Sequence, residues 1–425
     1  MLNMHFRGNK EVLMLYKVEI ENFYSVREPQ VLDLTVSPSI EDDDDRFHPV
    51  FPGSTIRAPK VVAIYGANAS GKTTILRALS FLAGFIGSLP SSENDFRQRI
   101  FAFNDADSVS RPIRLAIELG GVTNPHVETD DNSKLEFGTY RYELSLIAKN
   151  GKVEKVLSEA LRQRPNGIGR WQRIFERTAD GDTYAVKGSD VFRLTGFGHL
   201  VKSLRSDASL IASFGYFNHP TASHYAGVAK KVLFAIDRNW NFGSNNSSYM
   251  AFLQANPELL ERLNRELSRV DVGVEELRIA DVPNIGPQGR FQHSGLLQEL
   301  PWELESRGTQ AFVYLFPLLA LAFDNGTLAL VDEFDTLIHP LVLPEILRWF
   351  YDADDRNKDG AQIWLTCHSA TMLEDLLKEE VVVAEKDSQG RTRIYSLMDF
   401  KALRRGENLY KKYLGGVYGG VPVIG

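Results

Sequence analysis

Residues Lys60 to Ile75, KVVAIYGANASGKTTI, carry the pattern G-x-x-x-x-G-K-T between an apolar stretch and a run with helical spacing. Val61, Val62, Ala63, Ile64 and Tyr65 read as a short buried strand, and TTILRALSFLAGFIG reads as a helix. Gly66 and Gly71 let the backbone curl so that successive N–H groups and the helix N-terminus face one centre, which suits a triphosphate. In that geometry Lys72 reaches the β- and γ-phosphates and the Thr73 hydroxyl binds Mg²⁺. Asn68, Ser70 and Thr74 complete the nucleotide-binding set. A chance Gly-rich turn is the alternative, and the strand–loop–helix context argues against it.

Leu328 to Asp335, LALVDEFD, is a second apolar strand that ends in adjacent carboxylates. There Asp332 can hold the Mg²⁺ hydration shell, and Glu333 can accept a proton from an attacking water. Acidic residues that merely cap a strand are the competing explanation, weakened by the P-loop upstream. A third strand, Gln362 to Thr366, leads into Cys367, His368, Ser369 and the helix expected over ATMLEDLL. His368 therefore sits at a strand carboxyl end, where ligands bind in open α/β sheets. Its imidazole can hydrogen-bond a γ-phosphate or the attacking water, with a purely structural role as the alternative. Cys367 reads as a small packed residue.

The elements that must position these groups follow from patterning along the chain. With 425 residues, 43% of them hydrophobic, the chain exceeds the usual single-core limit and should form more than one lobe. A formal charge of −7 argues against a surface built mainly to neutralise nucleic-acid phosphates, although a local basic face stays open. One cysteine excludes intrachain disulfides and Cys-rich zinc sites and fits a reducing compartment. No secretory or membrane segment is evident, FVYLFPLLALAF being too short and Pro-interrupted, so a cytoplasmic location without membrane partners is expected.

LYKVEIENFYSV and PQVLDLTV alternate as two half-buried strands, with Met14 as an alternative natural start. EDDDD at 41–45 reads as a solvated loop rather than a metal site, and so does DADDRNKD at 352–359. Residues 111–186 predict an antiparallel β-lobe with turns at Asn150-Gly151 and Asp180-Gly181. LRQRPNGIGRWQRIFER mixes Arg with Trp171 and Phe175 and could touch nucleic acid, but its alternation better suits an exposed face of that lobe. Tyr225 to Val270 predicts helix, and DVPNIGPQGRFQHSG predicts a surface loop. The expected division is an N-terminal lobe at 1–186, a mostly helical insert at 187–300 and a C-terminal lobe at 301–425.

These elements, in this order, resemble the head domain of ABC-type ATPases, specifically the SMC-like and OLD-like branch. The implied fold is α/β: a P-loop α/β core, an antiparallel β-lobe and a compact helical insert. Under the resemblance Asp332 and Glu333 belong to the Walker B strand, Asp335 begins the D-loop, and His368 is the switch histidine. ESRGTQ at 305–310 looks like a degenerate signature motif, so Ser306 and Gly308 would cap the γ-phosphate of ATP held by the opposite protomer. Gln98 is the nearest candidate for a Q-loop glutamine. KVEIENFYSV, GANASGKTTIL, ESRGTQ, VDEFD, the T-x-H-S switch and the tail YLGGVYGGVPVI together look like prokaryotic AAA-family ABC-like ATPases of phage-defence operons, relatives of the RloA, PtuA and AriA subunits.

The resemblance implies an ATP- and Mg²⁺-dependent ATPase that acts as a homodimer or higher assembly with ATP at the interface. It further implies a separate effector or nuclease subunit and leaves open a phage-derived trigger and a nucleic-acid partner. An SMC-like DNA-repair or chromosome-maintenance ATPase is the competing function. The insert lacks the heptads and length of SMC arms, and nuclease chemistry is not expected in the short stretch after His368.

Overall fold

The computed structural model describes residues 14–90, 99–125, 134–236, 247–270, 273–336, 338–400, 403 and 407–421. Gln98 and the end of the tail lie outside them.

The N-terminal half builds an antiparallel sheet and the nucleotide-loop helix. Strands β1 (Leu15–Glu21) and β2 (Gln30–Asp33) pair antiparallel, and β3 (Phe47–Pro49) with β4 (Arg57–Pro59) forms a small separate ribbon. β5 (Val61–Tyr65) precedes helix α1 (Lys72–Gly87). Then come β6 (Ile113–Val122), β7 (Phe137–Lys149), β8 (Lys152–Pro165), β9 (Gln172–Asp180) and β10 (Thr183–Lys187). The seven-stranded sheet runs β10-β9-β8-β7-β6-β1-β2. Asn150 and Gly151, at φ 52° and 74°, make the β7–β8 turn that the sequence predicts.

Residues 187–300 hold more than helices. Helices α2 (Gly198–Lys202), α3 (Leu210–Tyr216) and α4 (Pro220–Lys230) lead to β11 (Leu233–Ala235). Helices α5 (Ser247–Gln254) and α6 (Pro257–Val270) are followed by β12 (Val274–Val282), β13 (Gly286–His293) and β14 (Leu300–Pro301). The loop expected over DVPNIGPQGRFQHSG is thus the end of β12, the β12–β13 turn and the whole of β13. Asn284 and Gly286, at φ 65° and 96°, confine the turn chemistry to the apex, while Phe291 on β13 is buried.

The remainder supplies α7 (Arg307–Asn325), β15 (Leu328–Val331), α8 (Val342–Tyr351), β16 (Gln362–Thr366), β17 (Val381–Lys386), β18 (Thr392–Ser396) and α9 (Leu409–Leu414). ATMLEDLL does not form the expected α-helix: Ala370–Glu374 is a short 3₁₀ turn. The core sheet runs β11-β15-β16-β5-β17-β18, parallel except for its last pair.

Every residue of β5 is buried, as a parallel strand covered on both faces requires. Val62 and Ile64 join one core with α1, α3, α4 and the antiparallel sheet; Val61, Ala63 and Tyr65 join a second with α6, α7 and α8. The antiparallel sheet is tied to α3 through Glu159, fully buried, which accepts from Ser209 Oγ and Leu210 N at 2.8 Å each and pairs with buried Arg177 at 3.4 Å. Arg177 also donates to the carbonyls of Arg205 and Ala208, so the buried charges are supported by hydrogen bonds.

Candidate functional site

β15, β16 and β5 are neighbours in the core sheet, so Asp332, Thr366 with His368, and the Gly66 loop emerge side by side at its carboxyl edge. The loop's two glycines are sterically obligatory. A Cβ at Gly66 would lie 2.2 Å from the Ala384 carbonyl oxygen, and one at Gly71 would lie 2.3 Å from Thr392 Oγ1. Gly71 caps α1 in the left-handed region and offers no side-chain acceptor; Thr74 N turns back to the Gly71 carbonyl at 3.0 Å, and the helix N-terminus faces the cleft as a site suited to an anion. The buried Ser70 hydroxyl likewise has no partner in the structure.

Lys72 Nζ donates to the carbonyls of Gly66 and Ala67 at 2.8 and 3.1 Å and lies 3.4 Å from His368 Nδ1. Burial pulls its ammonium below the usual lysine range, while the Asp332 and Asp335 carboxylates pull the other way. Thr73 Oγ1 donates to Asp332 Oδ1 at 3.1 Å, and Thr366 Oγ1 donates to the same oxygen at 2.5 Å. A hydroxyl and a carboxylate oxygen held this close, at the head of a phosphate-type loop, fit the oxygen donor set of Mg²⁺.

Glu333 has φ 51°, uncommon for a non-glycine residue, and its N–H donates to Thr366 Oγ1 at 2.8 Å. Its side chain is exposed into the cleft. Asp335 Oδ2 accepts from His368 N at 2.9 Å and from Ser369 N, which fixes the backbone that follows β16 while the imidazole stays exposed. Cys367 is fully buried against Met372, and burial pushes its thiol far up, in keeping with a packed residue.

Asn68, Ser70, Gly71, Lys72, Thr73 and Thr74 line one cleft of about 1390 Å³ together with Asp332, Glu333 and His368. Ser306 and Gly308 are not among its lining residues. Ser306 caps α7, accepting from Thr309 N at 3.1 Å, and is exposed. Beside it Glu305 accepts from Ser306 N at 2.7 Å and contacts His293 Nε2 at 2.6 Å.

Residues 61–374 match the family model described as AAA domain, putative AbiEii toxin, Type IV TA system. The chain belongs to this AAA-domain family. The match starts at the first residue of β5 and ends in the 3₁₀ turn after His368, so it contains all of the residues assigned above to the loop, the strand ends and the α7 cap. No curated protein matches the chain. Among solved structures, the SMC head domain from Thermotoga maritima is similar at 16% identity and a TM-score of 0.37, with 90% of this chain and 98% of that chain covered. An Smc head domain from Pyrococcus furiosus, with an extended coiled coil and bound to the C-terminal domain of ScpA, aligns at 13% identity and a TM-score of 0.41, covering 96% and 100%.

The AAA-domain cleft also contains residues to which the sequence assigned no role of their own. Thr366 bridges Asp332 and Glu333, as above. Ser25, at the end of ENFYS, shares a hydrogen bond with Thr74 Oγ1 at 3.0 Å, and Thr392 Oγ1 donates to the Ser70 carbonyl at 2.7 Å. Arg77 stacks on Tyr24, 5.2 Å from the ring centroid. In the two acidic runs Asp45 pairs with buried Lys60 at 2.7 Å and Asp352 accepts from Asp355 N. Phe175 is fully buried and cannot stack on a base, whereas Trp171 is half-buried under Arg164.

Proposed function

We propose that the chain binds and hydrolyses ATP, with Lys72 on the β- and γ-phosphates, Glu333 accepting the proton of the attacking water, and His368 hydrogen-bonding the γ-phosphate. The observation that carries this reading is the meeting of Thr73, Asp332 and Thr366 at one carboxylate oxygen beside Lys72 and His368. Thr73 and Asp332 would hold Mg²⁺, which would supply charge neutralisation to the phosphates. Thr366 holds the Asp332 carboxylate and the Glu333 backbone in register, and Asp335 holds the backbone of His368. The glycine loop and the α1 N-terminus supply N–H donors to the phosphates without reorganisation.

In this reading two chains associate head to tail, and the α7 N-terminus at Ser306 and Gly308 of one caps the γ-phosphate held by Lys72 of the other. The exposure of Ser306 outside its own chain's cleft supports that arrangement. ATP stabilises the closed dimer through γ-phosphate contacts that ADP cannot make, and hydrolysis releases it. The output is control of a separate toxic effector or nuclease in an antiviral system, akin to the RloA, PtuA and AriA subunits, and the toxin–antitoxin wording of the family description accords with that setting.

An SMC-like DNA-repair or chromosome-maintenance role has one observation of its own. At the β8–β9 tip Arg164 stacks on Trp171 at 4.5 Å and Arg170 and Arg173 are exposed, a basic surface that could track a nucleic-acid backbone.

Steady-state hydrolysis and nucleotide binding by Lys72→Ala and Glu333→Gln test the chemistry. Lys72→Ala is expected to lose binding, and Glu333→Gln to bind ATP without turning it over. Hydrolysis by Glu333→Gln at the parent rate would remove Glu333 as base.

A further inference from the structure

The turn between β17 and β18 overhangs the cleft without being part of the P-loop, the Walker B strand or the switch. Lys386, Gln389 and Gly390 line the cleft, and Lys386 and Gln389 are exposed. The turn is rigid. Asp387 Oδ1 accepts from Gln389 N and Arg391 N at 2.9 Å each, and its Oδ2 accepts from Arg391 Nε at 2.7 Å. It is also fastened to the phosphate loop. Thr392 N donates to the Ser25 carbonyl at 2.7 Å, Thr392 Oγ1 donates to the Ser70 carbonyl and lies 2.8 Å from Ser25 Oγ, and Ser25 Oγ reaches Thr74 Oγ1.

This attachment gives the turn a place along a bound nucleotide. Thr73 faces Asp332, whereas Thr74, the next residue of α1, faces Ser25 and hence the turn. A nucleotide whose β- and γ-phosphates sit at Lys72 and Thr73 therefore presents its α-phosphate and ribose on the Thr74 side. The cleft's other cations are engaged: Lys72 on the loop carbonyls, Arg77 on the Tyr24 ring and Lys149 on Glu154 at 3.3 Å. Lys386 has neither an ion pair nor a side-chain hydrogen bond among the described residues, and its neighbour Asp387 is occupied by Arg391.

We infer that the β17–β18 turn is a nucleotide-binding element, in which Lys386 pairs with the α-phosphate and Gln389 hydrogen-bonds the ribose. The inference rests on the nucleotide reading above and assigns it residues outside the recognised motifs. Because the contact lies away from the γ-phosphate, it serves ADP and ATP alike and holds the nucleotide through hydrolysis.

Calorimetric titration of the full chain with ADP and with AMP-PNP, in Mg²⁺, tests it. Lys386→Ala should weaken both ligands by a similar factor of about 10, the scale of one charge-assisted contact, while Lys386→Arg stays near the parent. Parent-like ADP affinity in Lys386→Ala, or a loss confined to AMP-PNP, overturns the inference. Lys72→Ala, run alongside, separates the two claims: if it binds like the parent the nucleotide reading itself fails, and if it loses binding while Lys386→Ala does not, only the turn's role fails.

Discussion

Thr73 Oγ1 and Asp332 Oδ1 lie 3.1 Å apart although 259 residues separate them in the chain. Sheet order produces the contact: β15 and β5 flank β16, so the Asp332 strand end and the glycine loop open onto the same edge. Asp332→Asn keeps the shape and one acceptor oxygen but removes the charge that, on the proposed function, would hold Mg²⁺. Hydrolysis should fall by about 100-fold or more, with ATP binding in the presence of a chelator close to the parent. Metal-dependent turnover and chelated binding, measured side by side, check this.

Thr366 both donates to Asp332 and accepts from the Glu333 backbone. Thr366→Val preserves volume and the β-branch and removes both bonds, so kcat should drop by about 10-fold with a smaller change in KM. Thr366→Ser, which restores the hydroxyl, should recover most of kcat. Equal losses in the two variants would mean that packing, and not the hydroxyl, matters.

Ser306 is exposed and lies outside the cleft that holds Lys72. If it acts on the nucleotide of a second chain, Ser306→Arg should leave nucleotide binding to the isolated chain intact and lower hydrolysis by about 100-fold, the scale of losing a transition-state donor. Parent-like turnover would remove the α7 cap from the mechanism.

Glu380 offers a pH test remote from the chemistry. Burial raises its carboxyl to about 7, although Arg46 at 2.8 Å, Leu377 N and Tyr351 oppose the shift. Its folded pKa exceeds the ordinary value of 4.5, so between those values the folded state binds more protons than the unfolded one and this group's contribution to stability falls as pH rises. Glu380→Gln should therefore show a flatter fall in urea midpoint than the parent between pH 4.5 and 7. Parallel profiles would contradict the shift.

The glycine loop, both strand ends and the two β-turns were legible because each imposes a local backbone or charge demand. Gly66 and Gly71 have no room for a Cβ, and Asn150-Gly151 needs two positive φ values. The contacts of Thr366, Thr392 and Ser25 were not legible, although Thr366 and Ser25 fall within quoted motifs, because a hydroxyl residue at a strand or loop end is ordinary until sheet order brings its partner within 3 Å. The β12–β13 hairpin was hidden for the opposite reason: its apex residues and the Gly and Pro beside them outweighed the single buried Phe291 in the pattern. The Ala370–Glu374 segment falls short of the expected helix, and its 3₁₀ turn ends at Asp375.

The central claim is that ATP is shared between two chains, each of which completes the other's site. Sedimentation of Glu333→Gln with Mg²⁺ and either ATP or ADP tests it most directly. The account predicts a dimer with ATP and a monomer with ADP; a monomer with both, at ATP concentrations that saturate binding, would contradict it.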